Sequence, residues 1–77
     1  MNITNLMNAV MQVINAFPGV TRFELSDLAP FQNANRSDRI AFGQYFSEQV
    51  QNGMIPNVRF LAKDARNHSF YIAIWVN

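Results

Sequence analysis

The sequence predicts one small α+β domain, residues 1–77, whose elements run helix, strand, short helix, helix, strand, strand. Three observations predict it. Apolar residues recur at helical spacing near the start of the chain, they recur again from Phe42 to Val50, and two alternating stretches flank a polar tip between Val58 and Val76. At 77 residues the chain has room for a single core.

In the first helix Ile3, Leu6, Met7, Val10, Val13, Ile14 and Phe17 form one stripe, with Asn5, Asn8, Gln12 and Asn15 opposite. Asn2 or Thr4 can cap its start, and Pro18-Gly19 stops it. No charged side chain precedes Arg22. The stripe reads as core, and the amide-lined face offers an alternative contact for another subunit. Val20 to Leu25 alternates as a strand, with Phe23 and Leu25 on one side and Arg22 and Glu24 on the other. Ser26 is then expected to cap a brief helix with Asp27 in its first turn, and Pro30 restricts its course. Gln32 to Asn35 reads as a turn.

Ser37 is the expected cap of the third helix, and Asp38 suits its first turn. Phe42, Phe46 and Val50 form the buried stripe, with Gly43 beside them. A mid-helix glycine costs roughly 1 kcal/mol against alanine, so close packing on a neighbouring helix is expected there. Gly53 fits the residue just past the helix end, with Met54 folding back as its apolar contact. In the hairpin Val58, Phe60 and Ala62 alternate with Arg59, Leu61 and Lys63, and Phe70, Ile72, Ile74 and Val76 alternate with Tyr71, Ala73 and Trp75. Both faces carry apolar groups. One must cover the helices, and the other, with Leu61, Tyr71 and Trp75, is expected to meet a protein partner or a second copy.

Composition narrows the function classes. An apolar fraction of 49% supports a core, while charged residues reach only 14%, below the usual ~25%. Ten Asn and five Gln supply much of the polarity. A net charge of +1 means that any nucleic-acid role rests on a local patch rather than on bulk charge. The absence of cysteine excludes disulfides and thiolate metal sites. His68 is the sole histidine, and there is no metal-ligand cluster, Gly-rich phosphate loop or paired nucleophile and base. No cofactor, metal or enzymatic activity is expected. Amides interrupt the apolar residues of the N-terminal segment, so a membrane span or signal peptide is not expected, and a cytoplasmic location is the default.

The pattern Phe23-x-Leu25-x-Asp27-Leu28, followed by Arg39-x3-Gly43-x2-Phe46-x3-Val50-x2-Gly53-x-Ile55, resembles small winged helix-turn-helix proteins of bacteria, plasmids and phages, some of them in uncharacterised families. The resemblance covers nearly the whole chain. It implies DNA binding through the third helix with the hairpin as a supporting wing, as in a small transcriptional regulator. On the residues themselves, Arg36 and Ser37 suit phosphate at the helix start, and Gln44 suits adenine in the major groove. Ile40 and Ala41 suit a thymine methyl. Lys63 and Arg66, with Asn67 and His68 nearby, suit the backbone or a minor groove. Steps of 100° about Phe46 turn Arg39 inward, toward a carboxylate such as Asp27, with phosphate contact as the alternative. A homodimer would let two modest patches act together. The rival expectation is a protein–protein interaction module, such as a phage- or plasmid-type accessory or inhibitor protein, that keeps the shape without binding nucleic acid. The two-sided apolar ribbon, the uncharged first helix and the near-neutral charge favour it.

Overall fold

A computed structural model describes residues 3–66 and 68–74. Helix α1 spans Ile3–Asn15, strand β1 Val20–Glu24, a 3-10 turn Leu25–Asp27, helix α2 Ala29–Gln32, helix α3 Arg36–Gln51, strand β2 Val58–Lys63 and strand β3 Ser69–Ile74. The order is the expected one: a small α+β domain of three helices and a three-stranded antiparallel sheet.

Local chemistry explains the boundaries, and in places corrects the expected ones. The predicted brief helix divides into the 3-10 turn and α2. Its cap is Glu24, not Ser26: the Asp27 carboxylate accepts from the Glu24 backbone N–H at 3.1 Å while the Glu24 side chain accepts from the Asp27 backbone. This reciprocal box satisfies two donors at once. Ser26 instead donates its hydroxyl to Glu24 Oε1. Pro30 occupies the first turn of α2, where its missing N–H forfeits no helical bond.

Helix α3 is capped by Asn35 rather than Ser37. The Asn35 Oδ1 accepts from the Asp38 N–H at 2.8 Å, so the helix starts at Arg36 and Ser37 lies exposed inside its first turn. At the other end Gly53, at φ +75°, donates to the Val50 carbonyl at 3.2 Å, and Met54 donates to the Gln49 carbonyl at 2.9 Å. This is the paired bonding of a Schellman ending. The apolar fold-back does not come from Met54, which stays 68% exposed; Ile55 is buried instead.

The sheet runs β1-β3-β2, so β3 lies in the middle. Its register decides which face is core. Tyr71 stands opposite both Phe23 and Phe60, and Ala73 opposite both Thr21 and Val58. Phe23 and Val58 are buried, so Tyr71 and Ala73 share their face. The expectation for Tyr71 is therefore reversed: it is 2% exposed and lies in the core, while Phe70, Ile72 and Ile74 take the outer side. Its ring stacks on Phe23 at 5.8 Å and meets Phe46 edge-on at 5.0 Å. Leu6, Val10 and Ile14 of α1 and Phe42 and Phe46 of α3 complete this cluster. A bulge falls between Phe60 and Ala62. The extra residue, Leu61, inverts the alternation of β2, so Ala62 joins Phe70 on the outer side and Lys63 comes opposite Ser69 on the side of the helices.

Candidate functional site

A groove of about 670 Å³ lies between α3 and the β2–β3 hairpin. One wall is α3. Arg36, Ile40, Gly43, Gln44 and Ser47 recur at the three- and four-residue steps of one helical face and line it, with Arg39 and Glu48 beside them. The other wall is built by Glu24, Leu25 and Ser26 at the end of β1 and by Lys63, His68 and Ser69 of the hairpin. Tyr71 and Phe31 line it between the two.

Four residues singled out from the sequence meet here: Arg36, Gln44, Lys63 and His68. Lys63 reaches the groove because of the bulge at Leu61. Arg39 joins them, contrary to the expectation that it turns inward. It is exposed and, among the described residues, makes no ion pair; the Asp27 carboxylate is taken up by the Glu24 N–H. The wheel projection fails because the buried part of α3 is confined to Phe42 and Phe46, so the cover begins a turn after Arg39. Ser37 and Arg66 are exposed outside the groove lining. Asn67 and Trp75 lie outside the described residues. Leu61 is 44% exposed.

The hairpin tip is organised by Asp64. Its Oδ1 accepts from the backbone N–H groups of Arg66 and His68, both at 2.9 Å, and its own N–H donates to the His68 carbonyl at 3.0 Å. The carboxylate thus fixes the turn that carries the basic residues. Beside the tip, His68 Nδ1 lies 3.8 Å from Glu24 Oε1, an ion pair when the imidazole is protonated. Ser26 donates to that same carboxylate oxygen, not to the imidazole.

Gly43 also departs from expectation. A Cβ built on it meets nothing within 4 Å, so no neighbouring helix requires a glycine. The residue lies on the groove wall, where the missing side chain leaves the surface of α3 flat between Ile40 and Gln44.

The groove carries the cations Arg36, Arg39 and Lys63 against the carboxylates Glu24 and Glu48. Glu24 is engaged with Ser26 and His68. Arg36 and Arg39 lie in the N-terminal part of α3, where the helix dipole has the same sign, with Asp38 between them in the first turn.

Residues 8–72 match the model of a protein family described as "Domain of unknown function (DUF1413)". The chain belongs to this family. The matched span runs from within α1 to within β3, so the DUF1413 domain contains the whole groove. No curated protein and no solved structure matches the chain. Among the described residues no helix is long and apolar enough to cross a membrane.

Proposed function

We propose that this DUF1413 domain is a DNA-binding module of the winged helix-turn-helix type, acting as a small cytoplasmic transcriptional regulator. The convergence of Arg36, Arg39, Lys63 and Gln44 on one groove between α3 and the hairpin carries the proposal. Helix α3 has 16 residues, a length of about 24 Å, and enters the major groove with Gln44 toward a base edge. Lys63 and Arg66 lie along the flanking backbone. Arg36 and Arg39 meet phosphate where the positive end of the helix dipole assists. The flat wall at Gly43 lets the duplex approach the helix closely. A homodimer would join two such surfaces on neighbouring half-sites, compensating for a net charge of only +1.

Fluorescence anisotropy on a long mixed-sequence duplex tests the proposal. Binding at low salt is expected, with Lys63→Ala plus Arg66→Ala weakening it across all sequences and Gln44→Ala changing base preference more than overall affinity. Failure to bind any duplex at low salt would sink the proposal.

A second reading is favoured by one observation. Ile40, Phe60 and Leu61 stand 56%, 42% and 44% exposed, on α3 and on the strand that leads to the hairpin tip. An apolar fringe of this kind suits a protein partner seated in the same groove, as an accessory or inhibitor protein would use it. Light scattering with the duplex absent separates the two: a strictly monomeric chain that binds duplex removes the support for this reading.

A further inference from the structure

The outer face of the sheet carries a second patch. Here Arg22 of β1 and Arg59 of β2 stand opposite the same residue, Ile72 of the central strand. Phe70 and Ile74 continue the apolar line above and below, with Val20 opposite Ile74 and Glu24, whose carboxylate is engaged by Ser26 and His68, opposite Phe70. Phe70, Ile72 and Ile74 are half-buried, and Arg22, Arg59 and Val20 are exposed. Among the described residues neither arginine has a carboxylate partner. All the buried residues of the sheet lie on the opposite face.

We infer that this face docks an acidic amphipathic helix of a partner protein, its apolar stripe on Phe70-Ile72-Ile74 and its flanking carboxylates on Arg22 and Arg59. Dimensions support the choice. The two arginines are two strand spacings apart, about 10 Å, and a helix is about 10 Å wide. Carboxylates on both flanks of one apolar stripe therefore meet one arginine each. A helix laid on a sheet is also the ordinary way to cover an apolar sheet face. A second copy of the same face fits badly, because stacking would bring four arginines together. Arg22, Arg59, Phe70, Ile72 and Ile74 are not part of the groove lining, so this is a different surface from the one proposed for DNA.

The test is an NMR titration of the full chain with a synthetic helical peptide bearing a leucine stripe flanked by glutamates, and with the same peptide carrying lysine for glutamate. The acidic peptide is expected to shift the amide signals of Arg22, Arg59, Ile72 and Ile74. Arg22→Glu with Arg59→Glu should weaken that peptide by about tenfold and improve binding of the basic one. The neutral pair Arg22→Gln with Arg59→Gln should fall between, which keeps the test valid if the double reversal unfolds the domain. Equal response to both peptides, no response, or shifts confined to α3 would overturn the inference. So would arginine-dependent binding to phosphatidylglycerol vesicles in place of the peptide, or a wild-type dimer that the arginine variants disperse.

Discussion

Salt should weaken DNA binding by an amount that the groove itself sets. Three cations line it: Arg36, Arg39 and Lys63. If each neutralises one phosphate, the logarithm of the association constant falls against the logarithm of salt with a slope of about −2.7, so raising salt from about 50 to about 200 mM lowers affinity roughly 40-fold. Lys63→Ala removes one contact, bringing the slope to about −1.8 and the loss over the same interval to roughly 12-fold. The side chain is exposed, so the substitution leaves the core intact. Anisotropy with a labelled duplex across a salt series reads both slopes directly. Arg66, which lies on the flanking backbone outside the groove lining, adds a fourth contact to these three and steepens both slopes, to about −3.6 for wild type and about −2.7 for Lys63→Ala. A wild-type slope shallower than about −1, or one indifferent to Lys63→Ala, would show that these cations do not meet phosphates.

Gly43→Ala should stabilise the fold by roughly 1 kcal/mol through helix propensity, raising the melting temperature by about 4–8 °C, because its new Cβ meets nothing within 4 Å. The same variant should bind duplex less well, and a stabilised variant with undiminished binding would show that α3 does not approach the DNA at this point. Asp64→Asn retains an oxygen for the Arg66 and His68 N–H groups while removing a negative charge beside Lys63, so it should tighten duplex binding; Asp64→Ala should loosen the hairpin tip and speed amide exchange at Arg66 and His68. If Asp64→Asn binds no better than wild type, the tip lies away from the phosphates. Asn35→Ala deletes the cap of α3 and should cost about 1 kcal/mol in a urea titration, whereas Ser37→Ala should leave the midpoint nearly unchanged. Equal losses for the two would restore Ser37 as the cap.

Much of the element order is legible in the sequence because the periodicities are strong and the breaks are chemical. Leu6, Val10 and Ile14 can share only one face of α1, and Gly53 ends α3 as its left-handed conformation allows. The caps were harder to read because serine, asparagine and acidic residues crowd both helix starts. Asn35 and Ser37 are both competent caps, and only the chain path decides between them. The outer and inner faces of β3 could not be assigned from alternation alone. Phe70, Ile72 and Ile74 carry more aliphatic bulk than Tyr71 and Ala73, yet it is pairing with Phe23 and Val58 that draws the latter inward. A bulge leaves no mark on composition, so the arrival of Lys63 at the groove was equally hidden. Of the α3 residues on the groove, Arg36, Ile40 and Gln44 stand out in the sequence by their chemistry, while Gly43 reads there as part of the buried side. Arg39 escaped it because a helical wheel carries no information about where the cover on a helix begins.

The central place of β3 also governs how the molecule is made. Strands β1 and β2 each pair with β3 and stand on opposite sides of it. A chain emerging residue by residue from the ribosome has both outer strands available well before the strand that joins them. Until residues 69–74 emerge, Phe23 and Val58 lack their shared neighbours Tyr71 and Ala73, and the aromatic cluster lacks its middle ring. Acquisition of the native fold is therefore tied to the completion of β3, and a chain truncated before Ser69 should lack both the sheet and the hairpin wall of the groove.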